Sequence, residues 1–181
     1  MKYGRVYNFS AGPAMMPEEV LEEIADILFV SIPVPQRYEL MARCMKTENL
    51  HMHQDPCHIG YPGIRDTVEK LAKKYRLFIV SNSERGYPEL CMEKLGLTPY
   101  IEGHLCYGDT GTTKGQTIRT LIERHNIGSC VYVGDTQGDY EATLEAGVPF
   151  IWASYGFGKV ENVPSISTIS EICEKADEMM K

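Results

Sequence analysis

The sequence predicts an α/β fold, a Rossmann-like parallel sheet with helices on its faces. Three observations point there. Continuous apolar runs at Leu77–Val80, Cys130–Val133 and Phe150–Ala153 read as buried central strands. Segments with helical apolar spacing alternate with them, as parallel sheets require. Polar residues then cluster just past the ends of these runs, where open α/β sheets bind their ligands.

The chain has 181 residues, enough for one compact domain and a small accessory piece. Hydrophobic residues make up 43%, which supports a real core and argues against general disorder. The formal net charge of -7 argues against a nucleic-acid footprint. No apolar run approaches the ~20 residues of a membrane span, and the N-terminus lacks the pattern of a signal peptide. Six cysteines without a C-x-x-C pair read as reduced thiols. A cytoplasmic protein is expected.

Before Tyr61, Pro17 suits a first helical position, and Val20, Leu21, Ile24 and Leu28 share a helix face. Ile27–Val30 is strand-like until Pro33 and Pro35 stop it. Arg37–Lys46 reads as a helix. His51, His53, Asp55, Cys57 and His58 crowd eight residues, but their spacing fits no structural zinc pattern, so a polar loop is expected.

From Tyr61 onward the elements follow in order. Val68, Leu71, Ala72 and Tyr75 mark a helix, and Leu77–Val80 a strand. Pro88–Leu95 is a helix stopped by Gly96, and Tyr100–Tyr107 a weaker strand or extended loop. Lys114–Asn126 is a helix with Ile118, Leu121 and Ile122 inward. Cys130–Val133 is a strand, closed by Gly134 as a tight turn. The next helix runs through Tyr140 and Leu144. Phe150–Ser154 is a strand, Tyr155–Gly158 a loop, and Ile169–Met180 a closing helix.

The organising stretch is Cys130-Val-Tyr-Val-Gly-Asp-Thr-Gln-Gly-Asp. Asp135 and Asp139 sit four residues apart at the end of a strand. Two carboxylates there suit one Mg²⁺, which takes oxygen ligands from one or two acids plus phosphate. The blander reading makes Asp135 a helix cap and Asp139 a first-turn acid. Ser81 and Asn82 end another strand and offer a hydroxyl and N–H groups to a phosphate. Lys114 opens a helix, where anions are already favoured, and adds a full positive charge. Separately, Ser81 reads as a turn former and Lys114 as a surface charge. Together they make a phosphate–Mg²⁺ site.

Leu77–Phe157 resembles the haloacid dehalogenase superfamily, close to its phosphoglycolate-phosphatase-like members. The resemblance spans about Tyr61 to the C-terminus. Ile79-Val-Ser-Asn is similar to the second family motif, Lys114 to the third, and Gly134-Asp-Thr-Gln-Gly-Asp to the fourth. Trp152–Gly158 is similar to the strand and loop that follow. The resemblance implies Ser81 and Asn82 as phosphate binders, Lys114 as phosphate binder and catalytic charge, and Asp135 and Asp139 as Mg²⁺ ligands. It implies hydrolysis of a small phosphorylated metabolite. The family's first motif, an apolar strand ending in Asp-x-Asp that carries the nucleophile, has no counterpart: no Asp-x-Asp precedes Tyr61.

The opening stretch Tyr7-Asn-Phe-Ser-Ala-Gly-Pro-Ala-Met-Met-Pro-Glu-Glu-Val-Leu resembles the N-terminus of phosphoserine aminotransferase, over about the first 26 residues. No lysine for pyridoxal phosphate is found to match that family. The expected organisation is therefore an aminotransferase-like segment over 1–28, a reduced helical cap and linker over 29–60, and a haloacid dehalogenase-like core over 61–181. Three functional readings follow. The first is a Mg²⁺-dependent phosphatase impaired by its missing nucleophile. The second is an inactive phosphate- or Mg²⁺-binding or scaffold protein. The third is an aminotransferase fragment without transaminase activity. The sequence leaves the substrate and the oligomeric state open.

Overall fold

A computed structural model describes residues 60–180. The aminotransferase-like opening, Ile27–Val30, Arg37–Lys46 and the His51–His58 cluster lie outside the described residues. The elements run α1 (Ile64–Ala72), β1 (Phe78–Ser81), α2 (Tyr87–Leu95), a 3₁₀ turn (Thr98–Tyr100), β2 (Gly103–Cys106) and α3 (Tyr107–Thr110). They continue with α4 (Lys114–Arg124), β3 (Tyr132–Gly134), α5 (Gln137–Ala146), β4 (Phe150–Ala153), β5 (Ser165–Ile166), a 3₁₀ turn (Ile169–Glu171) and α6 (Ile172–Met179).

Every strand pairing among the described residues is parallel. The strands form two sheets, β1-β2 and β3-β4-β5. Phe78 registers with Gly103 and Ser81 with Cys106. Tyr132 registers with Phe150 and Gly134 with Trp152. β1 and β3 are not hydrogen-bonded to each other. Their side-chain link is the Tyr132 hydroxyl, which donates to the Val80 carbonyl at 3.3 Å.

Burial follows this split. In β4, Phe150, Ile151 and Ala153 are buried, and Ile151 is fully enclosed. It anchors a cluster with Ala153 and Ile166, against which Val131, Val133, Ile172 and Met179 pack. Phe78, Ile79 and Val80 of β1, and Tyr132 and Val133 of β3, are only half-buried. On the other side of the molecule, Leu90, Cys91 and Met92 of α2 are buried, as are Leu105 and Cys106 of β2.

Local sequence explains most boundaries. Pro88 sits in the first turn of α2, and Gly96 closes that helix at φ 65°. Thr113 caps α4 by accepting from the Gln116 N–H, so the helix begins at Lys114 as expected. The Tyr100–Tyr107 expectation resolves into a 3₁₀ turn holding Pro99, then β2, then α3. Asp109 forces that last break by accepting from the Cys106 N–H. The closing helix starts at Ile172, because Ser167 and Thr168 hydroxyls hold Glu171 and tighten the preceding turn. β5 escaped the sequence reading, since two residues carry no period. Gly134 was expected for its freedom to turn, but it is not among the positive-φ glycines. It is required by proximity: a Cβ there would lie 2.6 Å from Cβ of Asp139. Among the described residues, no helix is long and apolar enough to cross a membrane.

Ile151→Ala should cost about 2–5 kcal/mol, the range for emptying a fully buried aliphatic site. Chemical denaturation followed by the fluorescence of Trp152, the single tryptophan, measures this directly.

Candidate phosphate and metal site

The site forms where β3 ends and α5 begins. Thr136 is the N-cap of α5, and its hydroxyl accepts from the Asp139 N–H. Asp139 answers as the third helical residue. Its Oδ2 accepts from the Thr136 N–H at 3.1 Å, the Thr136 hydroxyl at 2.7 Å and the Asp135 N–H at 3.3 Å. This reciprocal cap fixes the carboxylate rigidly. Thr136, and not Asp135, is therefore the cap. The sequence carried a signal for it in Thr-x-x-Asp.

Oδ1 of Asp139 faces the other way. Lys114 Nζ donates to it at 2.6 Å, from side chains only 8% and 2% exposed respectively. The Tyr132 hydroxyl reaches the same oxygen at 3.5 Å. Burial pushes the Asp139 pKa up, but the Lys114 charge and hydrogen bonds from Lys114 and Thr136 outweigh it and hold the group below the ordinary carboxylate range. Tyr132 goes the opposite way: burial, then the Asp139 charge, push its hydroxyl far above the normal range, so it stays protonated and donates. A lone tyrosine in an apolar run gave no sequence signal for that role.

Asp135 is buried and wrapped by the loop after β4. Its Oδ2 accepts from the Phe157 N–H at 2.9 Å. Its carbonyl accepts from Trp152 Nε1 at 3.2 Å and the Gly158 N–H at 3.1 Å. A Cβ at Gly156 would collide with the Asp135 side chain, and one at Gly158 would lie 2.6 Å from its carbonyl oxygen. Tyr155 and Tyr61 stand edge to face beside it, with ring centroids 4.7 Å apart. Burial, the Tyr61 hydroxyl and the Asp135 charge push the Tyr155 pKa up to about 12.

Lys114, Asp135 and Asp139 line one cavity of about 570 Å³. Ser81 and Asn82 are not in its wall, but follow Val80, which is. The Tyr132 hydroxyl thus ties the end of β1 to Asp139. Ser81 is buried, and its Oγ accepts from the Ser83 N–H at 3.2 Å; Asn82 is exposed. Ser83, also buried, has a hydroxyl with no hydrogen-bond partner among the described residues.

The donor set offered to a cation is all oxygen. Among the described residues, no group of three or more His, Cys, Asp or Glu side chains could hold a metal. Two carboxylates with the remaining positions left to phosphate and water is how Mg²⁺ is usually held. The glycines at 156 and 158 let the loop after β4 pack directly against Asp135. These residues therefore fit Mg²⁺ and an anion better than a softer metal.

Two acids and a lysine thus stand at the carboxyl ends of parallel strands flanked by helices, an α/β architecture. The family model described as haloacid dehalogenase-like hydrolase matches residues 17–153, and the chain belongs to that family. Solved structures agree on the fold. A phosphoglycolate phosphatase candidate from Lactobacillus plantarum superposes with a TM-score of 0.69 at 20% identity, over 96% of this chain and 84% of that one. A subfamily IA hydrolase of the superfamily from Geobacter sulfurreducens gives 0.62 at 18%, over 88% and 78%. A haloacid dehalogenase-like hydrolase from Streptococcus pneumoniae gives 0.59 at 19%, over 64% of this chain and 59% of that one, so this chain covers well under two thirds of that relative. No curated protein sequence matches.

Lys114→Met should destabilise the fold by about 3–5 kcal/mol at neutral pH, because it strands a buried carboxylate. The sign with pH follows. The depressed pKa of Asp139 gives stability that is present above the unfolded value of about 3.9 and lost as pH falls through the folded value. Without Lys114, its charge and hydrogen bond no longer lower that pKa against burial, so the carboxyl protonates more readily and the variant's deficit should shrink on acidification. Urea denaturation of both proteins across pH 4–8 checks it, and Lys114→Met/Asp139→Asn should recover part of the loss.

Proposed function

We propose that this chain binds the phosphoryl group of a small organic phosphate together with Mg²⁺, and hydrolyses it slowly at best. The observation that carries the reading is the buried Lys114–Asp139 pair beside Asp135, at the carboxyl edge of a parallel sheet. Asp135 and Asp139 would hold Mg²⁺, with Asp139 contributing Oδ1, since its Oδ2 is committed to the cap. Lys114 would bind the phosphate and stabilise charge as it shifts toward the leaving oxygen. Ser81 and Asn82, which follow cavity-lining Val80 but lie outside the cavity wall, would hold further phosphate oxygens once their side chains turn toward it. Bound Mg²⁺ would polarise the phosphoryl group.

Family membership supports hydrolase chemistry. A related hydrolase from Bacillus subtilis, with a TM-score of 0.58 at 20% identity, is described as bound to magnesium. What limits turnover is the nucleophile. Covalent phosphoryl transfer needs an attacking carboxylate, and no Asp-x-Asp precedes Tyr61. The group would then bind and polarise phosphate without a side chain to attack it.

The test pairs binding with turnover. Calorimetry should show inorganic phosphate binding that strengthens with Mg²⁺ and is lost in Asp135→Asn and Lys114→Met. Phosphate release from p-nitrophenyl phosphate and 2-phosphoglycolate should stay far below the ~10 s⁻¹ typical of enzymes. Fast release abolished by Asp135→Asn would place a nucleophile before Tyr61, with Asp26 and Asp55 the acids to mutate next.

A further inference from the structure

Lys114 is held at its root as well as at its tip. It is the first residue of α4, and the residues on either side of it both touch Glu145 of α5. The Thr113 hydroxyl donates to the Glu145 carboxylate, at 2.9 Å from Oε1 and 3.1 Å from Oε2. The same hydroxyl accepts from the Gln116 N–H as the cap of α4, so Thr113 is engaged both as donor and as acceptor. Gly115 is buried, and a Cβ there would lie 2.7 Å from Cβ of Glu145, closer than packed carbons come. Glycine weakens a helix relative to alanine, and the closeness of Glu145 is the reason one stands in the first turn of α4. The main chain of Glu145 is engaged too. Its carbonyl lies in the last turn of α5, where carbonyls lack partners along their own helix, and the Arg119 guanidinium of α4 donates to it.

We infer that Glu145 is a positioning residue for Lys114: by gripping Thr113 and covering Gly115 it sets where α4 begins, and so where the lysine ammonium meets Asp139 and an arriving phosphate. Asp139 and Glu145 lie six residues apart on α5, about 9 Å along its axis at the usual helical rise. Asp139 takes the tip of the lysine, and Glu145 takes the residues on both sides of its root. Lysine carries its charge on a flexible four-carbon stem, so a fixed root is what confines Nζ to one place. The Thr113–Glu145 bond is exposed, so its worth to global stability is small, while its effect on the start of α4 is local. The part of this inference that concerns phosphate rests on the function proposed above; the part that concerns the ammonium does not.

Two readouts on the full chain test the two parts separately. In a proton–nitrogen correlation spectrum of the lysine ammonium groups, the buried Lys114 signal should be visible without any ligand, and Lys114→Arg assigns it by its absence. Glu145→Ala should lose that signal. Glu145→Gln keeps an acceptor for Thr113 and the cover over Gly115, and should retain it. Calorimetric titration with inorganic phosphate in the presence of Mg²⁺ should show about tenfold weaker binding in Glu145→Ala, the size of one hydrogen bond, and near wild-type binding in Glu145→Gln. Gly115→Ala should repeat both losses from the other side of the contact. Glu141→Ala is the charge-matched control. It removes an equal charge from an exposed site on the same helix, nearer in sequence to Asp139, where its partner is Gln137, and it should change neither readout. A merely structural Glu145 would lower the urea midpoint but leave the ammonium signal and phosphate affinity of the folded protein as in the wild type, and that result overturns the inference. So does an equal loss in Glu141→Ala, or a wild type without a Lys114 signal. If the signal depends on Glu145 but the wild type binds no phosphate, the proposed function fails and the positioning of Lys114 stands.

Discussion

The Lys114–Asp139 ion pair is the buried charge contact that joins the site to helices packed on both half-sheets. Lys114 begins α4, which packs against β1 and β2. Asp139 lies in the first turn of α5, which packs against β3 and β4. Removing both charges from water is costly, and only close pairing with further hydrogen bonds makes it tolerable. Asp139 meets that requirement through Thr136, the Asp135 N–H and the Tyr132 hydroxyl. The same bonds that satisfy the buried charge also set where Asp135 stands, since they hold the chain between the two acids in one conformation. Stability and site geometry are one network here, and a change to either helix end is felt in both.

Much of this was legible in the sequence because it lies in short, contiguous patterns. Three apolar runs became β1, β3 and β4, and glycine and threonine marked several helix ends. Lys114, Asp135 and Asp139 were picked out as a set, and they do line one cavity. What stayed hidden was whatever depends on distant residues meeting. The loop at Phe157 and Gly158 closes on Asp135 through backbone N–H groups, which leave no mark on residue type. Tyr132 looked like one more apolar strand residue, and only the fold reveals that its hydroxyl touches both Val80 and Asp139. Gly134 was read through its backbone freedom, while the fold requires it for the closeness of the Asp139 side chain. β5 was too short to have a period at all.

In the proposed function the electrostatics would couple the two ligands. Lys114 is already engaged by Asp139, so an arriving phosphate cannot take the whole lysine charge without leaving a buried carboxylate exposed to a second negative group. A divalent cation would resolve this conflict. Asp135 and Asp139 are the residues that would hold such a cation, whose charge would balance that carboxylate and leave Nζ for the phosphate. Cation and anion would then favour each other's binding. That coupling is a property of the pair and not of either residue. It follows from two acids and one lysine with buried side chains sharing one site, where unbalanced charge is expensive in every state.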